Sequence, residues 1–195
     1  MNLAGVRVLA RAIFKNRALL VPHLRVKSIA HLDFHKLRNQ AGIKYVVFDK
    51  DNTLTLPYER SVHPSIEEAF TSCVSEFGPQ NVAILSNSVG SKDDPGFKEA
   101  ILIESIMKVP VIRHPTRKKP DVREDIEAHF EGRAEKSEIA MVGDRRMTDT
   151  LMGNELGYLT IEVDPFSTEK ENFMVKMMRM VERGVIPWVA AKEPP

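Results

Sequence analysis

Ile43-Lys44-Tyr45-Val46-Val47-Phe48-Asp49-Lys50-Asp51-Asn52-Thr53 runs a short β-branched and aromatic stretch straight into two carboxylates. Residues 43–48 have the composition of a buried strand. The polar residues that follow without a spacer stand at the carboxyl end of that strand. Working outward in both directions, the chain alternates. Towards the C-terminus the pattern predicts a helix over 64–77 opened by Pro64, a strand over 81–85, a helix over 95–107 and a strand over 109–112. It continues with a helix over 120–130, a strand over 138–142, a helix over 147–156, a strand over 158–163 and a last helix over 167–183. Gly184 and Pro187 end that last helix. Towards the N-terminus, Leu32, Phe34 and Leu37 mark a helix over 29–40 that leads into the core. Strands interleaved with helices require a parallel sheet covered on both faces, so the fold class is α/β, a doubly wound parallel sheet.

The chain has 195 residues, 43% apolar and 28% charged, which suits one folded domain and excludes disorder of the whole. Cys73 is the only cysteine, which excludes an internal disulfide and a cysteine-based zinc site. No apolar run is long enough to cross a bilayer. The net charge of +1 conceals an uneven distribution. Residues 1–32 carry Arg7, Arg11, Lys15, Arg17, Arg25 and Lys27 and no acid, leaving a mildly acidic remainder. Val6, Leu9, Ala10 and Ile13 recur at helical spacing, and Arg7, Arg11 and Lys15 every four residues. This predicts a basic amphipathic helix over 2–18, stopped by Pro22. A mitochondrial presequence, a membrane-surface helix, a nucleic-acid contact or a helix packed on the domain would each have this pattern. The lack of acids favours membrane or targeting duty. No reader motif or aromatic-interleaved basic patch supports nucleic acid. Three parts are expected: a membrane-associating segment over 1–40, a catalytic domain over 41–186 and a tail over 187–195.

In open α/β sheets, ligands bind at the carboxyl ends of the strands, and four such ends carry polar sets. These are Asp49 with Asp51, then Ser86 with Asn87, then Lys118-Lys119-Pro120 ahead of a helix, and finally Gly143-Asp144 with Asp149. Hard carboxylate oxygens suit Mg²⁺, and a serine and a lysine suit the oxygens of a phosphate. Asp49 can attack phosphorus to form an aspartyl-phosphate, and Asp51 can act as acid and then as base. Lys119 is preferred over Lys118 as the phosphate cation because it precedes Pro120. Taken singly, each residue has a structural explanation. The aspartates could form a turn and Ser86 could cap a helix, Asn87 could satisfy local backbone, and Arg145 and Arg146 could be merely solvated. His63 and His114 are expected to be structural or adjacent to substrate. Met174, Met177, Met178 and Met180 form an apolar helix face that suits core packing.

Asp49-Lys50-Asp51-Asn52-Thr53, Ser86-Asn87, Lys119-Pro120 and Gly143-Asp144 through Asp149 resemble the four ordered motifs of the haloacid dehalogenase (HAD) superfamily, spread over residues 43–163. The resemblance implies Asp49 as nucleophile and Asp51 as acid/base. It also implies Mg²⁺ held by Asp49, the Asp51 carbonyl and Asp144, with Asp149 as ligand or water-orienting group. An aspartate at the second position points to phosphatase chemistry. Ile84-Leu85-Ser86-Asn87-Ser88, Val142-Gly143-Asp144-Arg145 and Thr148-Asp149 ahead of Gly153-Asn154-Glu155-Leu156-Gly157 are similar to one branch of that superfamily, the mitochondrial phosphatidylglycerophosphatases of fungi and their bacterial relatives. That likeness implies hydrolysis of phosphatidylglycerophosphate to phosphatidylglycerol, on the route to cardiolipin. It also implies a peripheral place on the matrix side of the mitochondrial inner membrane. Lys50 departs from the apolar residue commoner between the two aspartates.

The stretches after Asp51 and Ser86 are short, so a cap domain is expected to be minimal or absent. An open site suits a headgroup presented by an anionic phospholipid surface. Arg113, Arg117, Lys118, Arg145 and Arg146 should surround it, able to bind the substrate's second phosphate or to attract the anionic surface, with Arg145 and Arg146 as expected substrate-binding residues. A HAD phosphatase for a soluble sugar or nucleotide phosphate, and a non-catalytic membrane adaptor, are the alternatives.

Overall fold

The computed structural model describes residues 16–167. Five strands form one sheet: β1 Leu24–Val26, β2 Tyr45–Phe48, β3 Val82–Ile84, β4 Ile139–Gly143 and β5 Leu159–Val163. Their order is β1-β5-β4-β2-β3 and every pairing is parallel. From β2 the chain moves outward to β3 and then returns to the other side of β2 to form β4. The reversal between β2 and β4 is the crevice where such sheets bind ligands.

Side-chain alternation assigns each strand residue to a face. Val46 and Phe48 pack with α1 (Phe34–Asn39), α2 (Glu67–Phe77) and α3 (Lys98–Met107), through Phe34, Phe70, Cys73, Phe77 and Ile103. Tyr45 and Val47 pack on the opposite face with α4 (Arg123–His129) and α5 (Leu151–Leu156), through Ile126, Met152 and Leu156. The Phe48 and Phe70 rings meet at 6.0 Å on one side, and Tyr45 meets Phe130 at 4.8 Å on the other. Truncating one of these buried phenylalanines to alanine costs about 3–5 kcal/mol. The expected double winding is present. No domain is inserted after Asp51 or Ser86 among the described residues, and none of their helices is long and apolar enough to cross a membrane.

Several local expectations need correction. The strand expected over 109–112 reduces to one bridge between Val111 and Ile84. Pro110 has no N–H to give, and the Val111 N–H goes to Glu104 Oε1 at 2.8 Å instead of a neighbouring strand. The helix expected over 29–40 is broken. A short turn at Ile29–His31 precedes α1, whose start is capped by Asp33 accepting from the Lys36 amide at 2.9 Å. Regular α-helix begins at Lys98 and not at 95, because Gly96 and Phe97 take φ of 70° and 56°. The helix expected over 147–156 opens as a wide π-type turn, Arg146–Thr150, before α5. An unexpected strand, β1, lies inside the stretch set apart as 1–40 and pairs with β5 at the sheet edge. Of the basic helix over 2–18 only residues 16–18 are described. The helix over 167–183, its methionine face and the tail over 187–195 lie outside the described residues, apart from Ser167.

Candidate active site

The register of β2 with its two neighbours brings the polar sets together. Phe48 stands opposite Val142 on one side and Ile84 on the other. The Asp49 amide donates to the Val142 carbonyl at 2.8 Å, and the Leu85 amide to the Phe48 carbonyl at 2.8 Å. Asp49, Ser86 and Asp144 therefore leave the sheet at one level. Asp149 arrives on the wide turn after β4. Its Oδ2 accepts from the Arg145 amide at 3.2 Å, and its carboxyl lies directly over Gly143. A methyl group at Gly143 would stand 2.5 Å from Asp149 Cγ, so this approach requires glycine.

Asp49, Asp144 and Asp149 are buried, and each offers an oxygen within 4.8 Å of the others. Lys119 is the cation among them. Its ammonium donates to Asp149 Oδ1 at 2.6 Å and also to Asp49 Oδ1. Burial pushes the Asp49 carboxyl above the usual carboxylate range, against the pull of Lys119. Burial also opposes the charge on Lys119, yet Asp149 and Asp49 hold the ammonium above the ordinary lysine value. Both shifts lean towards the protonated form, because three carboxylates face one ammonium in a buried site. A divalent cation fits this surplus. The donors are hard oxygens, and the buried Asp49 Oδ2 has no hydrogen-bond partner among the described residues.

Other expected residues take distinct places. Asp51 stands apart from the carboxylate cluster, with Oδ1 accepting from Lys50 Nζ at 2.6 Å and from the Tyr58 amide at 3.2 Å. A cavity of about 220 Å³ opens beside it, lined in part by Tyr58, Arg60, Ser88, Glu99 and Ile103. Ser86 Oγ accepts from the Ser88 and Val89 amides, each at 3.3 Å, so it also orders its own turn. Asn87 Oδ1 accepts from the Lys119 amide at 3.1 Å, which ties the second polar set to the third. Lys118 pairs with Asp93 and does not join the aspartates. Arg146 pairs with Glu162 at 2.5 Å. The Arg145 charge acts favourably on the Asp49 anion.

Three sets of contacts go beyond the sequence reading, which singles out Lys50 as a departure and expects His114 to be structural or adjacent to substrate. Lys50 is buried and engages Asp51. Buried His114 spans the Ser86 and Arg117 carbonyls at 2.7 and 2.9 Å. Asp94 accepts from the amides of Gly90, Glu99 and Ala100, each at 3.0 Å, and so holds the loop after Ser86. Asp94 is absent from that reading, although it carried a signal, an acid ahead of Pro95-Gly96 at the start of a helix.

A profile of the family described as "Mitochondrial PGP phosphatase" matches residues 3–166. A Chlamydomonas reinhardtii protein named phosphatidylglycerophosphate phosphatase 1, chloroplastic, is 40% identical over 97% of this chain and 68% of its own length. An Arabidopsis thaliana protein of the same name, designated chloroplastic/mitochondrial, is 35% identical over 95% of this chain. The match spans about half of that relative, 53%. The Saccharomyces cerevisiae phosphatidylglycerophosphatase GEP4, mitochondrial, is 32% identical over 80% of this chain and 84% of its own.

Proposed function

The chain belongs to the mitochondrial PGP phosphatase family, and on that premise we propose that it hydrolyses phosphatidylglycerophosphate to phosphatidylglycerol and phosphate through an aspartyl-phosphate on Asp49. The observation that carries this reading is the convergence of Asp49, Asp144 and Asp149 around the Lys119 ammonium at the topological switch.

The Asp49 carboxylate attacks phosphorus as the bond to the alcohol oxygen breaks. Asp51 gives that oxygen its proton, and later takes one from the water that attacks the aspartyl-phosphate. Lys119 supplies positive charge to the phosphoryl oxygens, and Ser86 supplies a donor. Asn87 holds the Lys119 backbone in place, a contact that supports a positioning role beside direct substrate contact. Asp49, Asp144 and Asp149, with the Asp51 carbonyl, would hold Mg²⁺. That ion supplies charge neutralisation for the nucleophile and the phosphoryl group. Arg145 and Arg146 are the candidates for the substrate's second phosphate, and Arg146 would meet it while paired with Glu162.

The open crevice suits a headgroup lying in an anionic phospholipid surface, with the chain bound peripherally. The names of the relatives support an organellar address, and the matrix face of the mitochondrial inner membrane, within cardiolipin synthesis, is the place proposed. Phosphate release from phosphatidylglycerophosphate in mixed micelles, compared with release from soluble sugar and nucleotide phosphates, tests the assignment. Turnover of the lipid with Mg²⁺ and its loss with chelator is the expected result. Rapid turnover of the soluble esters with none of the lipid would reassign the substrate.

A further inference from the structure

Lys50 sits between the two aspartates of the first motif and is only 3% exposed, a place where an ammonium must be fully paired to be tolerated. It is. Its three donors meet three acceptors: Asp51 Oδ1 at 2.6 Å, Thr55 Oγ1 at 3.2 Å and the Glu59 carbonyl at 2.8 Å. With those made, no hydrogen remains to bind a phosphate, so Lys50 is not a second version of Lys119.

The arrangement acts on one oxygen of Asp51. Oδ1 receives both the ammonium and the Tyr58 amide, while Oδ2 makes no hydrogen bond among the described residues. Tyr58 takes a φ of 70° to present that amide, a conformation disfavoured for a bulky side chain. Two donors on one carboxyl oxygen fix the plane of the group and leave the other oxygen to carry the proton. An aspartate whose side chain is 37% exposed would otherwise sample several rotamers. Misplacing a reacting group by about 1 Å can cost about 10²-fold in rate.

We propose that Lys50 is a positioning residue that holds the Asp51 carboxyl by Oδ1, so that Oδ2 meets the leaving alcohol. The proposal rests on the acid/base role given to Asp51 above. In the first step the Asp49 oxygen bonds to phosphorus, the phosphorus–alcohol bond breaks, and the proton on Asp51 Oδ2 passes to the alcohol oxygen. The Lys50 protons stay where they are. A lysine that merely pins the loop to Thr55 and Glu59 would have no connection to proton transfer, and this separates the two roles.

The test compares kcat/KM of the full chain on phosphatidylglycerophosphate, whose alkoxide leaves poorly without a proton, and on p-nitrophenyl phosphate, whose phenolate leaves without one. Lys50→Met should lose about 10²-fold on the lipid, in the range expected for general acid catalysis. It should lose under about tenfold on the aryl ester. In an Asp51→Asn background Lys50→Met should cost nothing more on either ester, because both changes remove one function. Lys50→Gln, which keeps donors for Thr55 and Glu59 but no charge, should reproduce the split if the methionine variant folds poorly. Equal losses on both esters, or losses that add to those of Asp51→Asn, would overturn the proposal and leave Lys50 as a loop staple. If Asp51→Asn is itself as active as the wild type on the lipid, the acid/base assignment fails first and the proposal falls with it.

Discussion

Lys119 Nζ lies 2.6 Å from Asp149 Oδ1 across 30 residues of sequence, and the same ammonium is bound by Asp49. One lysine thus joins the proposed nucleophile of the first motif to the carboxylate of the last. Replacing it with methionine leaves three buried carboxylates facing one another. Lys119→Met should lower kcat by about 10²–10³-fold, the scale of one preorganised charge-stabilising group. In chelator it should lose about 3–5 kcal/mol of stability, the cost of breaking a buried pair by removing one partner. Mg²⁺ should restore more of its melting temperature than it adds to the wild type. Thermal melts with and without Mg²⁺ check both statements.

Asp49→Asn should abolish phosphate release and yet melt higher than the wild type in chelator. The sign follows from burial, which raises the Asp49 carboxyl above its unfolded value. At neutral pH its charge therefore costs stability in the fold, and the neutral amide does not carry that cost. A lower melting temperature in chelator would show that the Lys119 bond outweighs burial.

The same shift makes Mg²⁺ binding pH-dependent. A proton competes for Asp49 up to a higher pH than for an ordinary carboxylate, so apparent Mg²⁺ affinity should weaken as pH falls towards and through the acidic range. Binding near the raised value should release protons. Calorimetry in two buffers of different ionisation enthalpy reads that release directly.

Gly143→Ala should reduce activity by about 10²-fold while the protein stays folded, because the added methyl displaces Asp149 and, with it, one bond to Lys119. Circular dichroism beside steady-state kinetics checks the separation of the two effects.

Asp94→Ala should cost about 3 kcal/mol, since three amides lose a charged acceptor. Burial disfavours the Asp94 charge, but the amides of Gly90, Glu99 and Ala100 outweigh it and hold the carboxyl below the usual range. Its contribution should be complete above about pH 4, the unfolded value, and fade as pH falls through the folded one. Urea melts of both proteins across acid pH should therefore converge.

The central strands were legible because Tyr45–Phe48 and Ile139–Gly143 are apolar on both faces, and the polar residues at their ends declared the site. Helices with Phe70, Cys73 and Phe77 on one stripe were equally plain. At two of the places where the chain departed from expectation, a side chain captured a backbone group. Glu104 took the Val111 amide, and Asp33 started a helix that periodicity had begun earlier. The edge strand at Leu24–Val26 is short and carries Arg25, so it lacked the apolar run that revealed the others. In the site, residue types announced Asp49, Lys119, Asp144 and Asp149. The partners of Lys50 and Asn87 depend on loop conformation, which no spacing encodes.

The central claim is that Asp49 takes the phosphoryl group. The direct measurement is rapid acid quench of the enzyme turning over phosphatidylglycerophosphate labelled in its terminal phosphate, with Mg²⁺ present, followed by peptide mapping. The account predicts label on the peptide containing Asp49, released by hydroxylamine as an acyl-phosphate is, and absent from Asp49→Asn. Product formed by Asp49→Asn at the wild-type rate, with no label on that peptide in either protein, would contradict it.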